Sequence, residues 1–332
     1  MIKREIMDFF SHAVLPYLLG NLFKRRKDEV AAFVIGGIAP DLDIFIMWIN
    51  FVYPTFFLLT HRGITHSLFF GFFTGVIVLY IASRERVRTR VTRLIGTEPV
   101  FTGRNIAYAY AGVLLHLILD FTTTKGVPLF YPFEAARQSA EVFFYTDLIL
   151  TILSVAIIII LYKRPAQRSK TTKLLIIFLM VFAVLGAARL VEKTGAETSV
   201  RGTDIKTYPT SGVFDWYILE KYQDKINLYK YNGVNKTSQH IATFQKLNIV
   251  SGGGNPTDAL LLAGGLPQVK MFEWRAYTTA VNASLSNGSW QLEYYDPLQK
   301  VMIWDSPEII RRFGANWSSV RVEVKKGEAV VI

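Results

Sequence analysis

The sequence contains no cysteine, which excludes disulfides and thiolate metal ligands together. Histidine is scarce, five in 332 residues, yet His12, His61, His66 and His116 all precede residue 121. A phosphate-binding loop is missing. The glycines of SGGGNPTDALLLAGG (251–265) do not follow the strand–helix spacing that such a loop requires. Aromatic residues are not interleaved with the basic clusters, which argues against a nucleic-acid partner. No small-residue cleavage site follows the first short apolar run, so a cleavable signal is not expected.

Apolar residues are plentiful, at 51% of the chain, with a mean hydropathy of +0.27. Most lie before residue 196, in runs at 5–23, 31–59, 64–83, 105–121, 142–162 and 173–191. A membrane-spanning helix needs about 20 such residues. The expected fold is therefore an α-helical polytopic membrane domain of about six spans (1–195) followed by a β-rich soluble domain (196–332). Charge follows the same division, since 22 of the 37 basic but 13 of the 26 acidic residues lie in the first 195 positions. KRRK (24–27), RERVRTRVTR (84–93) and KRPAQRSKTTK (163–173) read as loops on the cytoplasmic side. An alternating path then places the C-terminal antiparallel β domain outside the cell. Four Asn-X-Ser/Thr sequons, at Asn235, Asn282, Asn287 and Asn316, fall only in that domain.

Ionisable residues interrupt the apolar runs. An aspartate at the centre of a bilayer costs roughly 2.5–3.5 kcal/mol on insertion scales, so such groups are paired, wet or functional. On the six-span path, His12, Asp41, Asp43, His61, His66, His116, Asp120 and Asp147 all fall in the outer half. His116 and Asp120 are four apart and share a helix face. In HRGITHS (61–67), Gly63 permits a turn and Thr65 is placed to cap the next helix. In GGIAPDLD (36–43) the two aspartates are two apart, so either Pro40 starts a new helix or one aspartate alone is a ligand. Imidazoles with carboxylates and no thiol favour zinc first, with manganese or iron next, in a site of one ion or two. One intramembrane histidine is ordinarily a packing partner; four with several aspartates on one side call for more. The candidate ligands are His12, Asp41, Asp43, His61, His66, His116 and Asp120. Arg62 and Asp43 are the candidate catalytic side chains, with the general base left open among the carboxylates. Asp147 is adequately explained as a helix-start carboxylate, Glu134 and Glu141 as surface charges, and His240 as an ordinary strand histidine.

GGIAPDLD, HRGITHSL and HLILDFTTTKGVPLFYPF together resemble the YdjM-like membrane-bound metal-dependent hydrolases, described as LexA-regulated in some bacteria. His12, Pro40 to Asp43, His61 to Ser67, His116 to Asp120, Thr122 to Gly126 and Pro132-Phe133 fall on that family's motif positions, over about residues 1–160. The resemblance implies a metal site in a membrane and a hydrolytic activity. A metal-activated water would then attack a lipid or lipid-linked ester or phosphoester at the outer face of the membrane, with Arg62 orienting an anionic group. The competing reading is a metal transporter or a metal-dependent sensor with an outer β domain; a plain anchor for that domain ranks last. No partner of the β domain is identifiable.

In the C-terminal half, 213–219, 225–231, 240–246, 269–281, 289–296, 300–305 and 319–326 alternate apolar and polar residues and read as about seven strands.

Overall fold

The computed structural model describes residues 9–53, 56, 58–144, 147–163, 168–304 and 319–332. Asn316 and residues 164–167 of the third basic cluster lie outside the described residues. Helices fill the N-terminal part: α1 (Phe9–Leu22), α2 (Lys27–Ile38), α3 (Ile49–Val52), α4 (Leu68–Ala82), α5 (Glu85–Ile95), α6 (Gly103–Phe121), α7 (Leu148–Lys163) and α8 (Arg168–Ser199). Short 3-10 turns occupy Pro40–Phe45 and Ile64–His66. The chain divides into two compact units, one of residues 2–48 and 59–191, the other of residues 49–58 and 192–332 together with Met1.

The expectation of about six spans is overturned. Among the described residues, only Ser169–Ser199 of α8 is long and apolar enough to cross a bilayer by itself. The polar residues cut the other runs short. Within the described residues, helix α1 covers 14 positions, about 21 Å at 1.5 Å per residue, against a hydrocarbon core of about 30 Å. Pro40 lacks an N–H and ends α2, so 31–59 is not one helix. The HRGITH segment forms a turn, which leaves α4 with 15 residues. Helix α6 has 19 residues but carries Arg104, Asn105, His116 and Asp120. The argument that the polar residues share the outer half of six spans falls with the path it used. RERVRTRVTR also departs from expectation: it is helical, as α5, and meets α4 at 97°.

The helical unit nonetheless distributes polarity as a lipid-facing protein does. Phe69, Phe73, Ile77, Ile152, Met180 and Val184 are exposed, whereas His12, Asp41, His66, Asp120, Asp147 and Arg189 are buried. Exposed apolar faces of this extent mark contact with lipid or protein rather than water.

Close backbone approach positions the interior. A Cβ on Gly36 would overlap the Ala109 carbonyl, one on Gly112 the Phe33 carbonyl, and one on Gly37 the His12 carbonyl. The GG pair of α2 therefore lets α1 and α6 pack at backbone distance. Ser67, not Thr65, caps α4, accepting a hydrogen bond from the Phe70 N–H at 3.1 Å. Asp147 caps α7 through the N–H groups of Ile149 and Leu150 and also receives Arg189 of α8 at 2.8 Å.

The second unit contains two sheets. One orders β1 (Ile205–Pro209), β2 (Asp215–Tyr222), β3 (Lys225–Asn232) and β4 (Thr237–Gln245) as an antiparallel meander. The other orders β5 (Leu247–Ser251), β6 (Ala280–Ser286), β7 (Ser289–Tyr295), β8 (Ser319–Lys325) and β9 (Glu328–Val331). β5 and β6 pair in parallel, which needs a crossover. The crossover holds α9 (Thr257–Gly264) and α10 (Pro267–Arg275). Two expected strands are thus corrected: most of 269–281 belongs to α10, and 300–304 belongs to α11 (Pro297–Trp304). In both, a proline in the first turn sets a helical start that the apolar alternation does not reveal. Leu219, Leu228, Tyr295 and Leu298 form one core, and Ala263, Val269, Leu292 and Val322 another.

Gly112→Ala is expected to destabilise the detergent-solubilised protein by about 1–3 kcal/mol through overpacking against backbone. Gly103→Ala, where a Cβ meets nothing within 4 Å, is expected to leave the thermal midpoint unchanged or slightly raised. Paired thermal unfolding curves check both.

Candidate metal centre

Four segments converge. Helix α1 supplies His12, the Pro40–Phe45 turn supplies Asp41 and Asp43, the HRGITH corner supplies His61, Arg62 and His66, and α6 supplies His116 and Asp120. All are at most 6% exposed. His66 Nε2 lies 3.4 Å from Asp41 Oδ1 and 3.5 Å from Asp120 Oδ2. His116 Nε2 lies 3.6 and 3.3 Å from the same two atoms. His12 stacks on His116 with ring centroids 3.8 Å apart, its Nε2 3.4 Å from Asp120 Oδ1. Ligand atoms come within 4.8 Å of one another in three groups: His12, Asp41 and His116; Asp41, His61 and His66; His66, His116 and Asp120.

The surrounding hydrogen bonds fix which ring nitrogens face inward. His116 Nδ1 is 2.7 Å from the Gly37 carbonyl, which can only accept, so Nδ1 carries the proton and Nε2 the lone pair. His61 Nδ1 is 2.9 Å from Asp43 Oδ1. Two donors, the Arg62 backbone N–H and the Thr65 hydroxyl, converge on Asp43 Oδ2. Asp43 is therefore an acceptor, and His61 too is protonated on Nδ1. The Thr65 hydroxyl donates to Asp43 Oδ2 at 3.0 Å and is 3.0 Å from His66 Nδ1; its proton is used, so it accepts from His66. His66 and His116 thus turn Nε2 toward Asp41 and Asp120, in the outer-shell pattern typical of metal-ligating histidine.

Asp43 also accepts the Arg62 backbone N–H at 3.2 Å. Both of its oxygens are engaged in shaping the corner, where Arg62 adopts φ +57°. The Arg62 guanidinium reaches Asp120 Oδ1, Thr123 Oγ1 and the Thr124 carbonyl at 2.9, 2.9 and 3.0 Å. In contrast, His12 Nδ1 and Nε2, His116 Nε2, Asp41 Oδ2 and Asp120 Oδ2 are buried without a hydrogen-bond partner.

These atoms fit a divalent ion. Two ligands about 2.1 Å from a tetrahedral ion lie roughly 3.4 Å apart, and the four cross-distances among His66, His116, Asp41 and Asp120 are 3.3–3.6 Å. Hydrogen bonds would be shorter. The charges agree. With neutral imidazoles, Asp41, Asp43 and Asp120 against Arg62 leave two negative charges in excess, which one divalent cation cancels.

All seven candidate ligands meet here, as does Arg62. Asp147 does not; it caps α7 and pairs with Arg189. His240 lies on β4, bonded to Thr243. Thr65, Thr123 and the Gly37 carbonyl were not singled out as site residues from sequence, although Thr65 adjoins His66 and Thr123 follows Asp120 by three.

A helical unit with apolar residues outside and a His/Asp cluster able to hold a metal ion inside defines a membrane protein with a buried candidate metal centre. The family model described as YdjM inner membrane protein matches residues 7–194, and the chain belongs to that family. No curated protein and no solved structure matches it.

Arg62→Met is expected to cost about 3–5 kcal/mol, because Asp120 would remain buried without its cation. Arg62→Lys is expected to recover little, since one ammonium cannot reach three acceptors held in a fork. Chemical unfolding of both variants in detergent checks this.

Proposed function

We propose that this protein is a metal-dependent hydrolase acting on an ester or phosphoester of a membrane lipid. The observation that carries the reading is the buried cluster of imidazoles and carboxylates in which His66, His116, Asp41 and Asp120 lie 3.3–3.6 Å from one another across the site. His66, His116, Asp41 and Asp120 hold the ion, with His12 and His61 beside them. Zinc suits two nitrogens and two oxygens at these separations; manganese and iron accept the same donors. When bound, such an ion polarises a carbonyl or phosphoryl oxygen and acidifies water.

The residues around the ion have distinct roles in this reading. Asp43 fixes the rings of His61 and His66 and is a positioning residue rather than a ligand. Arg62 holds Asp120 in its ionised form and in one orientation, so its charge acts through that carboxylate. His12, stacked on His116 with Nε2 3.4 Å from Asp120 Oδ1, stands beside the ion as a further nitrogen donor. In this reading the β unit lies outside the membrane, on the side opposite the cytoplasm, and the sequons at Asn235, Asn282 and Asn287 are what supports it. Protease protection of the β unit in right-side-out vesicles would contradict that placement.

Purified protein incubated with extracted membrane lipids is expected to release a product that chelator abolishes and zinc restores. Asp43→Asn is expected to weaken metal affinity by 10–100-fold, as loss of an outer-shell partner does, measured by competition with a chromogenic chelator. Metal bound at full occupancy with no chelator-sensitive change in any lipid would instead favour ion carriage or sensing.

A further inference from the structure

The most basic stretch of the helical unit, RERVRTRVTR (84–93), has no part in the metal centre. It forms α5, which leaves α4 at 97°. The corner between them is held in place. The Ser83 hydroxyl donates to the Tyr80 carbonyl at 2.7 Å, and the Arg84 guanidinium lies over the Tyr80 ring, 3.9 Å from its centroid. Tyr80 in turn meets Phe101, ahead of α6, edge to face at 5.3 Å.

The sides of α5 differ. Val87 is half-buried, and Val91 packs against the cluster of Ala32, Ile35, Leu79, Ala82 and Ala109. Arg88 pairs with Glu98 at 3.1 Å. Arg86, Arg90 and Arg93 follow one another at i, i+4 and i+7, which lines them along one face, and all three are exposed. Among the described residues, none of the three has a carboxylate partner. Like charges at this spacing repel and weaken a helix, so an anion lying along the row would stabilise it. Leu94, next to the row, is 84% exposed.

The neighbouring helix points to the anion. Phe69, Phe73, Ile77 and Ile81 of α4 are exposed, an apolar flank suited to lipid. A helix at a right angle to one immersed in lipid runs along the bilayer surface. Arg25 of the KRRK cluster lies over Tyr108 at 5.9 Å, and Tyr108 packs on the same cluster as Val91. Two basic segments therefore stand at one end of the helical unit. The HRGITH corner is at the other end of α4, about 22 Å away.

We propose that α5 lies in the plane of the membrane surface and binds the head groups of anionic lipids through Arg86, Arg90 and Arg93. Guanidinium groups take phosphate oxygens in paired hydrogen bonds, and Leu94 reaches toward the acyl boundary, as the apolar side of an interfacial helix does. The proposal is independent of the hydrolase reading.

Because the chain has no cysteine, a single Thr89→Cys substitution carries one bimane fluorophore beside the arginine row. The full-length protein is placed in nanodiscs that mix phosphatidylcholine with phosphatidylglycerol. Each lipid in turn is brominated near its head group, so that quenching reads which of them touches α5. Phosphatidylglycerol is expected to quench in excess of its mole fraction, and high salt to reduce the excess. Arg86→Gln, Arg90→Gln and Arg93→Gln are each expected to lower the preference by up to about fivefold. Arg90→Lys is expected to keep most of it, and Lys163→Gln, at the end of α7, to leave it unchanged. Quenching in proportion to mole fraction, or a preference that all three glutamine variants retain, overturns the proposal. A labelled DNA duplex that binds the nanodisc-held protein through the same arginines, with no lipid preference at α5, also overturns it and assigns the row to nucleic acid.

Discussion

Everything in the helical unit depends on keeping three carboxylates and one guanidinium out of water at the same point. Asp41, Asp43, Asp120 and Arg62 are all at most 6% exposed, and ions in such surroundings are stable only when paired, bonded or metal-bound. Arg62 neutralises one charge and is itself held by Thr123 and the Thr124 carbonyl. Asp43 is bonded by His61, Thr65 and the Arg62 backbone N–H, whereas Asp41 faces the Nε2 atoms of His66 and His116 at 3.4 and 3.6 Å, long for good hydrogen bonds. A divalent ion resolves that mismatch, which is why the metal reading carries more weight than a network of neutral histidines.

The geometry of the cluster is set by backbone, not by the ligands alone. Glycines at 36, 37 and 112 bring α1, α2 and α6 into contact, and that contact puts the Gly37 carbonyl within reach of His116. Pro40 ends α2 where Asp41 and Asp43 must leave the helix. The two aspartates then diverge in role: Asp41 faces the lone pairs while Asp43 organises the HRGITH corner. In the sequence they look equivalent.

Residue types and local spacing made the donor set legible: four early histidines, PDLD, and His116 four residues before Asp120. The helix-then-sheet order was legible too, from the change in apolar run length near residue 195. The number of spans was not. Run length counts apolar residues without regard to the breaks that Pro40 and the HRGITH turn impose, and it does not distinguish lipid contact from helix packing. Nor was the helical state of RERVRTRVTR visible to a reading that took its charge as evidence of a loop. In the β unit, prolines at 267 and 297 began helices inside stretches whose alternation pointed to strands. Thr65 read only as a helix cap and Thr123 only as part of a motif, because their role at the site lies in what their single proton is spent on, which depends on the folded geometry.

The most direct test of the central claim is metal stoichiometry. Full-length protein, purified in detergent and stripped with chelator, would be dialysed against zinc and assayed by elemental mass spectrometry beside the His116→Ala and Asp41→Ala variants. The account predicts at least one tightly held ion per chain in the wild type and a loss of that ion in each variant. A folded wild-type protein that takes up no zinc, manganese or iron, or variants that retain the full complement, would contradict it.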